Sequence, residues 1–226
     1  MKIDVLTLFP EMFSGIIQES IIKRAIENKK IDIQIHNIRD FSKDPHKRVD
    51  DYSFGGGAGM VLMIQPIYDA INAFKTEDSV VIMMTPQGQQ YSQTLAYDLS
   101  EKKHIILLCG HYEGFDERII NLVDMEISIG DYVLTGGEIP SLVLIDSITR
   151  LVDGVITKES HLNESFNDNL LDYPVYTKPV DFMGMKVPDV LLSGHHVNIA
   201  KWRKEEQIKK TRERRPDLLE KSGYHE

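Results

Sequence analysis

Four glycine-bearing stretches hold the residue types that could do chemistry in this 226-residue chain. The longest is Ser128-Ile-Gly-Asp-Tyr-Val-Leu-Thr-Gly-Gly-Glu-Ile-Pro140, rich in glycine yet set between apolar runs. Gly130, Gly136 and Gly137 admit backbone angles and close approaches that a β-carbon forbids, and Tyr132, Val133 and Leu134 between them supply an apolar wall. That combination suits a flat, partly apolar ligand. Glu138 and Pro140 open an amphipathic run to Val152, which predicts a loop between a strand end and a helix start, where free amide groups are available. A plain strand-to-helix turn has the same spacing. Two shorter stretches, Thr85-Pro-Gln-Gly88 and Gly110-His-Tyr-Glu-Gly114, follow apolar runs in the same way. The fourth, Gly55-Gly-Gly-Ala-Gly59, comes after Lys47 and Arg48 and resembles a phosphate cradle. It lacks the Gly-Lys-Ser or Gly-Lys-Thr ending that puts a lysine on the phosphates, which weakens a nucleotide-hydrolase reading and leaves a surface loop as the alternative.

Other reactive side chains give less. The single cysteine, Cys109, sits after the apolar run Ile105 to Leu108 and reads as a small core residue rather than a catalytic thiol. The eight histidines show no metal-ligand spacing, and the adjacent His195 and His196 point to different helix faces, so no metal site is expected. A net charge of −9 argues against a surface that coats nucleic acid throughout. The charge is uneven, however. Between Lys201 and Arg215 eight basic residues face three acidic ones, a local balance of +5, so one arm of an acidic protein is suited to a polyanion. A solvated helix face is the bland alternative.

The elements that must position these loops can be read from periodicity. Lys2 to Leu8 predicts a strand and Phe13 to Ile22 a helix; Ile31, Ile33 and Ile35 alternate as a second strand, and no period is visible from Asn37 to Gln65. From Ile67 the rhythm is helix, strand, helix, strand: strands at Ser79 to Met84, His104 to Cys109 and Met125 to Ile129, helices at Ser92 to Glu101 and Asp116 to Val123. The fold class is therefore α/β, a mostly parallel sheet with flanking helices, in which three consecutive strands end in glycine-bearing loops. Such loops gather at the strands' carboxyl edge, the usual place for a ligand in this class. After Val152 the pattern breaks. Residues 1–153 are expected as the ligand-binding domain, 154–172 as a flexible, polar interdomain linker and 173–226 as a small helical domain holding Trp202 and the basic arm. No apolar run reaches membrane-span length and Met1-Lys2-Ile3-Asp4 does not open a signal peptide, so a cytoplasmic protein with no membrane partner is expected.

Six collinear motifs carry a family resemblance: Leu8-Phe-Pro-Glu-Met-Phe13, Val49-Asp-Asp-Tyr-Ser-Phe-Gly-Gly-Gly-Ala-Gly-Met60, Cys109-Gly-His-Tyr-Glu-Gly-Phe-Asp-Glu-Arg118, Ser128 to Glu138, Leu171-Asp-Tyr-Pro-Val-Tyr-Thr-Lys-Pro179 and Leu192-Ser-Gly-His-His196. Together they resemble bacterial tRNA (guanine-N1)-methyltransferases of the SPOUT superfamily. The resemblance implies a deep trefoil knot, S-adenosyl-L-methionine as methyl donor, a homodimer, and methylation of the guanosine at position 37 of tRNA, next to the anticodon. Strand periodicity says nothing of threading, and knots are rare exceptions. By resemblance the cofactor is wrapped by Thr85, Pro86 and Gly88, by Gly110, Tyr112 and Glu113, and by Ser128, Ile129, Gly130, Asp131, Tyr132, Val133 and Leu134 with Gly136, Gly137 and Pro140. Glu113 is expected as an acceptor near the cofactor, with a structural carboxylate as the alternative. The Gly55 to Gly59 loop is expected to border the target base.

The resemblance also implies two catalytic residues. Arg150 matches an arginine that contacts the guanine, and Glu164 falls where the family has a general-base aspartate, one methylene longer, with Asp168 close by as the other choice. Guanine N1 carries a proton and is a poor nucleophile at neutral pH, so a positioned carboxylate suits its removal, and an arginine at O6 suits the charge that builds on the base. This chemistry demands no metal, although it leaves room for a divalent ion. Reaching a base in an anticodon loop means splaying it from its stack while the basic arm holds the backbone. Two other classes stand beside this one. A nucleotide hydrolase needs a phosphate-contacting lysine in register, and Lys47 is not; a non-catalytic RNA-binding module leaves the three glycine loops unexplained.

Overall fold

The fold is taken from a computed structural model, which describes residues 1–157 and 164–222, with side chains through residue 220. In chain order the strands are β1 (Lys2–Thr7), β2 (Asp32–Asn37), the two-residue β3 (Asp50–Asp51) and β4 (Val61–Leu62), β5 (Ser79–Gln90), β6 (His104–Cys109), β7 (Met125–Ser128), β8 (Asp181–Phe182) and β9 (Met185–Lys186). The helices are α1 (Glu11–Ile17), α2 (Ser20–Glu27), α3 (Ile64–Phe74), α4 (Gln93–Ser100), α5 (Glu138–Thr149), α6 (Asp189–Leu192), α7 (His196–Arg214) and α8 (Pro216–Ser222). Five strands form one sheet in the order β2-β1-β6-β5-β7, and each neighbouring pair is parallel. A parallel sheet needs cover on both faces, which is why β6 reads His-Ile-Ile-Leu-Leu-Cys and is buried along its whole length.

Alternation along the strands sorts the core into two layers. Ile3, Val5, Ile82, Met84, Ile105 and Leu107 face Phe13, Ile22, Leu95, Leu99, Leu144 and Ile148 from α1, α2, α4 and α5. Leu6, Val81, Met83, Ile106 and Leu108 point the other way, onto Ile67, Ala70 and Ile71 of α3 and onto Ile38, Leu62 and Ile119. The α/β reading and the parallel sheet stand as expected.

Local details differ from the periodicity. The expected first helix is two, because the chain leaves helical geometry after Ile17 and Ser20 takes φ 51°. β5 does not stop at Met84: it resumes pairing with β7 at Gln89 after a register shift, so Thr85 to Gly88 is a bulge within a strand rather than a free loop. The aperiodic stretch 37–65 holds a 3-10 turn, Ile38–Phe41, and the antiparallel β3-β4 ribbon.

The chain divides into two compact units, Met1–Ile156 and a second from Thr157. Within the second, the described part of the expected linker is fastened down. Leu170 is buried, Leu171 N–H donates to Thr211 Oγ1 on α7 (2.9 Å) and Lys210 Nζ donates to the Asp172 carbonyl (3.0 Å). Residues 158–163 of that linker lie outside the described residues. The β8-β9 hairpin closes on Met183 and Gly184, both at positive φ. No described helix is long and apolar enough to cross a membrane.

Candidate active site

β5, β6 and β7 lie side by side, so the segments at their carboxyl ends meet. They enclose a cavity of about 290 Å³, near the lower end of small-molecule sites and open on one side. Fourteen of the sixteen cofactor residues expected from sequence line it: Thr85 and Pro86; Gly110, Tyr112 and Glu113; Ser128, Ile129, Gly130, Tyr132, Val133 and Leu134; Gly136, Gly137 and Pro140. Gly88 and Asp131 do not. Gly88 is instead pressed against β7, where a Cβ would stand 2.5 Å from the Ile127 nitrogen, so its lack of a side chain serves sheet packing. Asp131 is exposed.

Two glycines in this wall are needed for proximity. Gly137 has φ −83° and ψ −2°, open to any residue, but an added Cβ would lie 2.7 Å from the Gly110 nitrogen and 2.8 Å from Cys109 Cα. Its N–H donates to the Gly110 carbonyl (2.8 Å), which locks the start of α5 to the end of β6. At Gly136 a Cβ would overlap the Glu138 carboxylate and approach His111 Nδ1 to 2.7 Å. Glu138 itself is buried and accepts from Thr7 Oγ1 (2.7 Å) at the end of β1.

The cavity includes residues that sequence reasoning passed over: Met84, His111, Gly114, Phe115, Ile127 and Thr135. His111 and Phe115 lie inside the Cys109 to Arg118 motif, so their position was legible even though their role was not. The His111 ring packs on Phe9 (centroids 4.7 Å) and Tyr112 (5.0 Å), and its buried Nδ1 has no hydrogen-bond partner among the described residues. An orphaned polar atom beside closely packed glycine backbone, under an apolar rim of Tyr132, Val133 and Leu134, suits a nucleoside-like ligand with polar groups at one end. S-adenosylmethionine has that make-up. Cys109 is a core residue, as expected: burial pushes its thiol up, and its sulfur lies 3.1 Å from Ser141 Oγ.

The basic pair ahead of the glycine-rich loop is spoken for. Lys47 reaches Asp40 (2.9 Å) and Arg48 reaches Asp44 (2.8 Å); the Arg48 guanidinium holds the Asp44 carboxyl down to about 2. Such pairing offsets part of the charge a phosphate cradle would use. Among the described residues no cluster of His, Cys, Asp or Glu is arranged to hold a metal ion.

Of the two expected catalytic residues, Arg150 follows the last turn of α5 in the first unit and is half-buried. Glu164 lies in the second unit, where it lines a polar cleft with Asp168, Tyr173, Arg203 and Lys204. Both carboxylates named for the proton transfer thus share one cleft. Asp168 there takes positive φ, as do its neighbours Phe166 and Asn169, and the Arg203 guanidinium sits 4.7 Å from the Tyr173 ring centre.

Residues 1–221 match the family model described as tRNA (Guanine-1)-methyltransferase TrmD. The tRNA (guanine-N(1)-)-methyltransferase of Clostridioides difficile (strain 630) is 58% identical over 229 residues, covering 99% of this chain and 99% of that protein. The protein of that name from Mycoplasma mycoides subsp. mycoides is 56% identical over 221 residues (97% and 92%), and that from Spiroplasma kunkelii 59% over 221 residues (97% and 83%). The cavity and the six motifs therefore occur in a sequence matched over residues 1–221, and the chain belongs to the tRNA (guanine-1)-methyltransferase family.

Proposed function

We propose that this protein transfers a methyl group from S-adenosylmethionine to N1 of the guanosine at position 37 of tRNA. The observation that carries the reading is the meeting of Thr85-Pro86, Gly110 to Glu113 and Ser128 to Pro140 around one cavity, in a chain matched to the family over residues 1–221. Bound there, S-adenosylmethionine supplies an electrophilic methyl group on its sulfonium. The chain's own part is to hold and orient: glycine backbones at 110, 136 and 137 approach the ligand, and the rim of Tyr132 to Leu134 keeps water from its apolar side.

Two side chains carry the proton and the charge. Arg150 donates an N–H to guanine O6, where negative charge gathers as N1 loses its proton, a contribution of about 3 kcal/mol for a well-aligned donor away from water. Glu164 accepts the N1 proton, with Asp168 in the same cleft as the alternative base. Substrate binding falls to the second unit. Residues 1–156 carry 14 basic and 23 acidic side chains, the whole net charge of −9, while residues 157–226 balance at 12 of each. A polyanion is repelled by the first unit, so α7, with Lys201, Lys209, Arg212 and Arg214, is where the RNA backbone is held. In this reading residues 1–153 bind the cofactor, 154–172 link and carry the base, and 173–226 bind tRNA.

A homodimer and the family's trefoil knot complete the reading. Support for the dimer comes from α1 and α5, which pack together and leave the large apolar side chains of Met12, Ile16, Ile139 and Val143 exposed on the first unit. A second copy of this chain is the occupant the family implies. The reading also places the enzyme in the cytoplasm with its tRNA. It is tested by incubating the protein with methyl-labelled S-adenosylmethionine and an unmodified tRNA transcript, then digesting to nucleosides. Label in 1-methylguanosine from position 37 is expected; label elsewhere, or none, overturns it.

A further inference from the structure

The glycine-rich loop and the cofactor cavity are sewn together. Leu62 of β4 pairs on one side with Asp50 and forms a parallel bridge on the other with Phe115 of the cavity wall. Three backbone hydrogen bonds close the seam: Glu113 N–H to the Met60 carbonyl (3.0 Å), Leu62 N–H to the Gly114 carbonyl (2.9 Å) and Asp116 N–H to the Leu62 carbonyl (2.9 Å). The loop hanging from this seam exposes Tyr52 and Phe54, and Gly55, Gly56, Gly57 and Gly59 all take positive φ. At its inner end Gly59 has φ +84°, and a Cβ there would overlap Glu113 from Cγ to the carboxylate. Gly59 itself does not line the cavity, whereas Glu113 does.

We infer that Glu113 is a positioning residue that couples the two sites: one side chain forms part of the cofactor wall and also seats Gly59. The inference rests on reading the cavity as the cofactor site. A ligand that fixes Glu113 fixes the seat of the loop, and a base that orders the loop returns the effect to the ligand, since coupling between two sites is reciprocal. Glu113 is exposed, so the residue that displaces it does not have to break the core; it only has to swing the side chain out of the wall. This role differs from direct acceptance of a cofactor hydrogen bond. It makes a change at Gly59, outside the cavity, felt inside it.

The test is a double-mutant cycle on cofactor affinity, measured by calorimetry with S-adenosylmethionine and the full-length protein without RNA. Gly59→Ala is expected to weaken binding by about tenfold when Glu113 is present and by less than about threefold in the Glu113→Ala background. The backbone strain of alanine at φ +84° is common to both arms and cancels. Equal factors in both backgrounds overturn the coupling while leaving the cofactor reading intact, and absence of binding in the wild type overturns both. If Gly59→Ala folds poorly, melting temperature carries the same cycle: recovery on Glu113→Ala supports the seat, and equal losses refute it. Glu113→Gln, which keeps the length that seats Gly59, is expected to retain about tenfold more tRNA-dependent turnover than Glu113→Ala; equal losses mean that charge toward the cofactor is its role.

Discussion

Gly137→Ala isolates the close approach that builds the cavity wall. Its φ of −83° and ψ of −2° suit alanine, so the backbone imposes no strain, and the lost freedom of the unfolded chain favours the variant by about 0.5–1 kcal/mol. Against this, the new Cβ would stand 2.7 Å from the Gly110 nitrogen and 2.8 Å from Cys109 Cα, where carbon contacts settle near ~3.5 Å. Both neighbours are backbone at the end of a fully buried strand, so neither can rotate away. Overpacking of this kind costs ~1–3 kcal/mol, and stretching the 2.8 Å bond from Gly137 N–H to the Gly110 carbonyl adds ~1 kcal/mol. The net expectation is a loss of about 1–3 kcal/mol, a fall in Tm of roughly 3–10 °C. Because the strain is relieved by moving Gly136 to Pro140 away from Gly110, the cofactor cavity widens, and S-adenosylmethionine affinity should drop by at least about tenfold. Thermal melting and calorimetry read the two effects. Gly15→Ala in α1 is the matched control, since a Cβ there meets nothing within 4 Å and should raise stability slightly. A Gly137→Ala protein with unchanged Tm and unchanged affinity refutes the proximity argument.

Three further outcomes follow from the site and the core. Glu164→Gln keeps size but cannot accept a proton, so turnover should fall by roughly 10²-fold with little change in tRNA or cofactor affinity; if Asp168→Asn falls instead, Asp168 is the base. Charge reversal at Arg212 and Arg214 should reduce the slope of log K against log salt for tRNA by about one per lost phosphate contact, and an untouched slope makes α7 a solvated face. Arg215 lies just past α7, where its guanidinium pairs with Asp217 at 2.7 and 2.8 Å. At the amino edge of the sheet, burial alone pushes the Asp4 carboxyl up, but hydrogen bonds from Lys2, His36 (2.7 Å) and His104 (2.6 Å) outweigh it and hold it below its ordinary 3.8. A lowered folded value means that the stability Asp4 gives is complete above that ordinary value and is lost as pH falls through the folded one. Asp4→Asn should therefore cost about 3 kcal/mol near neutral pH, with the gap to wild type closing in acid; a gap that does not depend on pH contradicts this.

The parts of the fold that were legible are those where one face or one spacing decides. β6 is almost wholly apolar because both its faces are covered, and the three glycine-bearing segments that follow adjacent strands mark the place of the cavity. What was missed depends on partners distant in sequence. The pairing of Gln89 and Gln90 with β7 extends β5 through two polar residues that carry no strand signal. The close approach of Gly88 to the backbone of β7 is likewise a feature that no local pattern reveals. Nothing in the spacing of His111 singles it out, and only the packing of Phe9 and the nearness of Gly136 give its ring a place in the wall. Likewise no local pattern shows that Leu171 and Asp172 are bonded to Thr211 and Lys210, about forty residues further along the chain.

The central claim is that the carboxyl ends of β5, β6 and β7 form the cofactor site. A crystal structure of the protein grown with S-adenosylhomocysteine, the product of methyl transfer, tests it most directly. The account predicts density between Thr85-Pro86, Gly110 to Phe115 and Ser128 to Pro140, with a polar group of the ligand within reach of His111 or Glu113. Density in the cleft beside Glu164 and Arg203, or against the Gly55 to Gly59 loop with the β5–β7 cavity empty, would contradict it.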